Sequence, residues 1–322
     1  MTRRALRLEM PCRIWPEFFS RLVTLSGGGR ESDTYKEYVP VKHAFPTQLL
    51  DKTRTRVMGI FNATPDSFFD GGHYREEAEM RTRMRRIMEE GADIVDIGAE
   101  SSRPDASPVS LEEELRRAIP AWEAALSTGM PVSVDTCKAA VARRALQMGA
   151  AMINDISALR HDAEMREVVA EFGCLCVLMH MQGTPKTMQV SPVYKDVVSD
   201  VYDFLARRIE FALQGGIAED RIWIDPGFGF GKTVEHNLEL LRRLDIFQGL
   251  GCPIVMGTSN KSMIGAVLGA PPDDRQEGTA ATVAIGITRG VHCVRVHDVK
   301  VMARVVRMCD AVLDKGSAVG TE

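Results

Sequence analysis

Ile94-Val-Asp-Ile-Gly-Ala-Glu-Ser-Ser-Arg103 starts as an apolar strand and ends in polar side chains of catalytic type. Five other stretches share that form: Val57-Met-Gly-Ile-Phe-Asn62, Val132-Ser-Val-Asp135, Met152-Ile-Asn-Asp155, Ile222-Trp-Ile-Asp225 and Cys293-Val-Arg-Val-His297. Helix-like segments lie between them. A closed parallel barrel puts every strand C-terminus on one face, and active sites sit on that face. Polar residues scattered along the chain would then converge on one pocket.

Working outward, strands fit at 57–61, 94–97, 132–135, 151–154, 175–179, 222–225, 253–257 and 293–297. Helices fit at Glu76 to Glu90, Leu111 to Ala125, Lys138 to Met148, Ala163 to Phe172, Val197 to Gln214, Glu235 to Leu244, Gly278 to Arg289 and Lys300 to Leu313. Gly91 follows the first helix as a C-cap. Ser110 precedes the second, with Glu113 at capping-box spacing. Strict alternation favours an α/β fold, a (β/α)8 or TIM barrel, over an open doubly wound sheet. Such a barrel needs about 250 residues, and the chain has 322.

Residues 1–43 lack this rhythm and read as an N-terminal extension, packed on the barrel or partly disordered; 44–322 form the barrel. Ser26-Gly-Gly-Gly-Arg30 reads as a flexible connector. Glu9 and Glu17 argue against a targeting peptide. The stretch 44–56 is expected to form a short hairpin closing the barrel floor.

The net charge of -4 gives no argument for nucleic acid as a partner. No apolar run approaches the ~20 residues that span a bilayer. Seven cysteines, with no CxxC pair, read as buried hydrophobes of a reducing, cytoplasmic compartment.

FNATPDSFFDGG (61–72), DIGAESSRP (96–104), VSVDT, INDIS, LMHMQGTPKTMQ, IDPGFGFGKT, GTSNKSMIG and RVHDV stand in order over residues 57 to about 313. In these motifs the chain resembles the dihydropteroate synthase family of the folate pathway. The resemblance implies transfer of the pterin methylene of 6-hydroxymethyl-7,8-dihydropterin pyrophosphate to p-aminobenzoate, giving 7,8-dihydropteroate and pyrophosphate. It also implies a homodimer and Mg²⁺ as cofactor.

Carried residue by residue, the resemblance implies that Asp135, Asn154, Met179, Asp225, Lys261 and Arg295 bind the pterin. Asn62, Arg103, Arg295 and His297 bind pyrophosphate, with Asn62 as metal ligand. Ser102, Pro104, Phe230, Ser259 and Asn260 meet p-aminobenzoate. Thr64, Pro65, Asp66 and Ser67 belong to a closing loop, and Asp135, Lys261, Arg295 and His297 carry the chemistry. Magnesium uses few protein oxygens beside phosphate and water, which suits a single Asn. Arg295 and His297 alternate on the last strand and should share a face.

Gly227-Phe-Gly-Phe-Gly-Lys-Thr233 is one residue short of a P-loop. His180 has no second ligand at metal spacing and reads as part of a loop under the pterin pocket. The family's Ser-Arg-Lys-Ser is Ser259-Asn260-Lys261-Ser262 here, and Ser102 and Asp105 replace its Thr and Gly. The pterin half is complete and the acceptor half is altered. Competing readings are a paralogue with another amine acceptor, a pterin-dependent corrinoid methyltransfer module and a non-catalytic subunit. A methyl donor has no pyrophosphate for Asn62, Arg295 and His297 to hold.

Overall fold

The computed structural model describes residues 46–63, 73–101 and 107–316, with the side chains of 73–77 outside the description. The N-terminal extension, the closing-loop residues Thr64, Pro65, Asp66 and Ser67, and Ser102, Arg103 and Pro104 lie outside the described residues.

Eight parallel strands form the sheet: β1 (Arg56–Asn62), β2 (Ile94–Gly98), β3 (Val132–Asp135), β4 (Met152–Asp155), β5 (Leu175–Met179), β6 (Ile222–Asp225), β7 (Val255–Met256) and β8 (Cys293–Val296). Their order is β6-β5-β4-β3-β2-β1-β8-β7, and a parallel bridge from Ile224 to Ile254 joins the two ends. Helices alternate with them, at His73–Glu89, Leu111–Leu126, Ala139–Met148, Met165–Phe172, Val197–Gln214, Val234–Arg242, Ser262–Leu268, Gln276–Thr288 and Val299–Val312. The fold is a TIM barrel.

The two-residue period of each strand builds two cores. Inward residues Met58, Ile94, Met152, Leu175, Val177, Trp223, Val255 and Cys293 fill the lower barrel. Their neighbours Val57, Val95, Ile153, Cys176, Ile222, Ile224 and Val294 pack outward with the helices. Burying each large side chain contributes roughly 1.5–3 kcal/mol. Two residues above the floor, on the same inward parity, stand Asp96, Asn154, Asp225 and Arg295. The apolar layer thus becomes a platform for a polar one.

The floor is closed by a 3-10 turn at Thr47–Leu50, not by a hairpin. Leu49 plugs the apolar layer. Arg56, itself buried, donates to Gln48 O (2.6 Å), Asp51 O (3.2 Å) and Asp51 Oδ2 (3.0 Å), pinning the turn. A hairpin has no free edge to join, because β1 is already paired on both sides by β2 and β8. β7 is shorter than expected: Pro253 has no N–H to give the ladder, though its carbonyl accepts from Ile224 N at 2.9 Å. Ser110 caps its helix by accepting from Glu113 N at 3.3 Å, while the Glu113 carboxylate goes to Arg116 and Arg117.

Candidate active site at the strand C-termini

Arg295 stands at the centre of the polar layer. Its Nε donates to Asp96 Oδ2 at 2.6 Å and its Nη2 to Asp135 Oδ2 at 2.9 Å. Asp96 is fully buried. It also accepts from Ser133 Oγ (2.6 Å) and Asn154 Nδ2 (3.1 Å). A buried carboxylate is tolerated when its lone pairs are filled in this way. Burial raises the pKa of Asp135; Arg295 opposes the rise and Asp96 adds to it. Arg295 and Asn154 therefore already have partners: the guanidinium expected to meet pyrophosphate is held by two carboxylates, and the Asn154 amide N–H by one.

Asp225 ends β6 and is 6% exposed. Its Oδ1 accepts from Gly227 N at 2.7 Å. Burial pushes its pKa up, against the Gly227 N–H and the cations Lys261, Lys232 and Arg295. Lys261, partly exposed, sets its Nζ 4.2 Å from the centroid of the Phe230 ring. Burial and Arg295 bring its pKa down to about 8, with Asp225 and Asp135 pulling the other way. Met179 ends β5 and packs with Met181, Met188, Ile156 and Phe230. A cavity of about 500 Å³ opens beside this group, bounded by Ser101, Asp135, Ile156, Arg160, Met181 and Lys186 among others. It touches the polar layer through Asp135 and leaves Asp225, Lys261 and Arg295 outside its walls.

The Gly227–Gly231 loop has left-handed backbone at all three glycines. A Cβ on Gly227 would lie 1.9 Å from His180 O, and one on Gly231 2.8 Å from Gln182 O. Glycine here permits a close bed on the β5 loop, not a phosphate cradle. The loop's backbone groups are taken up by side chains. Gly229 N donates to Asn237 Oδ1 (2.7 Å), Gly229 O accepts from Gln189 Nε2 (2.7 Å) and Gly231 O from Tyr194 Oη (2.7 Å). Phe230 is thereby fixed between Lys261 and the methionines.

The remaining sequence-predicted residues are more peripheral. Asn62 is exposed at the end of β1. His297 lies just past β8 and is exposed; its Nδ1 is 2.9 Å from Ser259 Oγ, which also accepts from His297 N at 3.2 Å. Arg295 and His297 thus diverge, the first into the barrel and the second toward the β7 loop. Asn260 is exposed and left-handed (φ 56°), with its N–H on Thr279 Oγ1 (3.2 Å) and its carbonyl on Arg275 Nη1 (2.9 Å). Among the described residues, no group of three or more His, Cys, Asp or Glu is placed to hold a metal ion.

Three contributors escape the motif reading. Asp96 could have been found from its inward parity with Ile94. Lys232 sits inside a motif read for Phe230 and as a failed P-loop, with no role given to the lysine. Lys138 joins Glu100 Oε2 (2.5 Å), Glu114 Oε2 (2.5 Å) and Val109 O (2.9 Å), a network that no local pattern announces.

Residues 58–297 match the model of the family described as pterin binding enzyme. The dihydropteroate synthase of Bacillus subtilis is 45% identical over 277 residues, 86% of this chain and 95% of that one. A dihydropteroate synthase structure from Xanthomonas albilineans with 4-aminobenzoic acid superposes with a TM-score of 0.76 at 44% identity, covering 82% of this chain and 94% of the other. The Yersinia pestis enzyme, in complex with a sulfonamide drug, gives 0.76 at 41% identity over 83% and 96%.

Proposed function

This chain belongs to the pterin-binding enzymes and, within them, to the dihydropteroate synthases; from that premise we propose how its residues divide the reaction. The substrates are 6-hydroxymethyl-7,8-dihydropterin pyrophosphate and p-aminobenzoate. The C–O bond to pyrophosphate breaks with both electrons leaving on oxygen. The amine lone pair then forms the new C–N bond and its proton passes to solvent.

Asp225 offers its second carboxylate oxygen to the donor edge of the pterin, and Asn154 its amide oxygen. Lys261 donates to the ring carbonyl side, with Met179 packing against the ring face. Asp135 places negative charge beside the methylene as it becomes cationic, and Arg295 holds that carboxylate in place. The observation that carries this reading is the polar layer above an apolar floor, buried at Asp96, Asn154 and Asp225 and partly open at Asp135 and Arg295, with Lys261 at its edge. Preorganised charges of this kind act strongly where water is excluded.

His297, Arg295, Arg103 and Asn62 are the proposed pyrophosphate partners. Asn62 alone offers one hard oxygen, and no described carboxylate cluster supplements it. Such a donor set fits Mg²⁺ that arrives with the pyrophosphate, where the ion would neutralise charge on the leaving group. Phe230, Ser259 and Asn260 with Ser102 and Pro104 form the acceptor side, and Thr64, Pro65, Asp66 and Ser67 the closing loop. A cytoplasmic homodimer, with 1–43 as extension to a 44–322 barrel, completes the proposal. No described helix is long and apolar enough to cross a membrane.

A pyrophosphate-release assay tests this reading. Release should require the pterin substrate, rise with p-aminobenzoate and fall when EDTA is added. Release insensitive to p-aminobenzoate would remove it as the acceptor, and insensitivity to EDTA would remove the metal.

A further inference from the structure

Lys232 is 3% exposed, and that burial pulls its pKa down to about 7. Its Nζ lies 2.9 Å from His180 Nδ1, 2.9 Å from Gly227 O and 3.0 Å from Phe230 O. Three acceptors match the three donors of –NH3⁺; a neutral amine has only two hydrogens. The His180 ring is buried and its pKa is driven down to about 2 by that burial and by Lys232 and Arg160, so it stays neutral and accepts. Two aromatic rings also pack near it, Phe204 edge-on at 4.8 Å and Tyr194 at 6.0 Å.

Two of the three acceptors are carbonyls of the turn that carries Phe230. That turn is closed by Phe230 N donating to Gly227 O at 3.1 Å. Asp225 holds the N–H of the same Gly227 at 2.7 Å. One peptide segment is therefore gripped by a carboxylate assigned to the pterin and by a lysine that holds the backbone of the residue assigned to the acceptor.

We propose that Lys232 is a positioning residue: its buried side chain ties the Gly227 and Phe230 carbonyls to His180 and so sets where the Phe230 ring meets the incoming aromatic amine. The proposal rests on the reading that Phe230 lines the acceptor side. Lys232 itself touches no substrate. A misplacement of about 1 Å far from the bond being made can cost on the order of a hundredfold, so the effect should be kinetic as well as structural.

The test uses the full chain with Lys232→Met, Phe230→Ala and the double variant, measuring KM for p-aminobenzoate, kcat and the calorimetric affinity for the pterin pyrophosphate. Lys232→Met should raise KM for p-aminobenzoate roughly tenfold, within the range a misplaced contact allows, with pterin affinity changed less than threefold. In the Phe230→Ala background it should add little. If both single variants raise KM and their effects multiply, Lys232 does not act through Phe230 and the proposal falls. If only Phe230→Ala raises KM, the proposal falls and the acceptor reading stands. If Phe230→Ala leaves KM unchanged, the acceptor reading itself fails and takes the proposal with it. Should Lys232→Met not fold, His180→Phe removes one acceptor of the three. It should shift KM in the same direction by a smaller factor, again with little effect beside Phe230→Ala; no shift would overturn the proposal.

Discussion

Asp225 gives one oxygen to Gly227 N, and the proposed assignment gives the other to the pterin edge. Asparagine there turns one acceptor into a donor facing donors. A hydrogen bond involving a charged group contributes about 1.5–3 kcal/mol, so Asp225→Asn should weaken pterin binding by roughly ten- to a hundredfold or more, as calorimetry would show. Circular dichroism should be unchanged, and affinity within twofold of the parent would remove Asp225 from the site. Lys261 makes a pH prediction. Its pKa is lowered to about 8. The ammonium is present below that value and is lost as pH rises through it. Activity with the pterin substrate, as kcat/KM, should therefore fall about tenfold per unit above pH 8. Lys261→Arg keeps the charge and should abolish that alkaline limb, whatever its effect on rate. The limb would survive the exchange if it belonged to Lys232, whose pKa burial pulls down to about 7.

Between residues and the barrel lie the connections, and here Lys138 matters most. It binds Glu100 and Val109 at the two sides of the β2 connection, and Glu114 in the helix that follows. Thr136, next to Asp135, donates to the same Glu114 at 2.7 Å. Glu114 is 1% exposed, so Lys138→Met strands a buried carboxylate, at a cost of about 3–5 kcal/mol. The melting temperature should drop, and adding Glu114→Gln should recover most of the loss; no recovery would mean the stem of Lys138, not its charge, does the stabilising. No spacing rule reveals this network, since its partners are 24 and 38 residues apart. The strands themselves were legible, because buried parallel strands are short apolar runs between turn formers. Their inward parity also located the polar layer. What parity cannot tell is which groups pair: Arg295 finds Asp96 across 199 positions. The helix at Ser262–Leu268 escaped because seven residues with Gly265 inside give too little periodicity. The expected hairpin before β1 failed because local turn chemistry does not show that both edges of β1 are already occupied.

At the scale of the whole molecule, the proposed acceptor side is built from parts of the chain that only the barrel brings to one face, and there the chain departs from the family pattern at Asn260. Asparagine suits the backbone it occupies: φ is 56°, a left-handed position it tolerates better than most residues. Its N–H and carbonyl are tied to Thr279 and Arg275, so the loop shape is kept without a cationic side chain. The guanidinium of the family pattern is missing here, and under the proposed assignment the acceptor's carboxylate loses a charge-assisted partner about twice as strong as a neutral one. A loss of ~1–2 kcal/mol is roughly five- to thirtyfold in affinity. A sulfonamide that occupies the p-aminobenzoate position should lose by the same route. Asn260→Arg should therefore lower both the Michaelis constant for p-aminobenzoate and the sulfonamide inhibition constant, with pterin affinity nearly unchanged. It should also cost stability, about 1 kcal/mol for forcing a long side chain into left-handed backbone, visible as a lower melting temperature. Steady-state kinetics on the two proteins decide between the effects. If the melting temperature falls while both constants stay put, residue 260 shapes the loop and does not read the acceptor, and the expectation of weak sulfonamide binding falls with it.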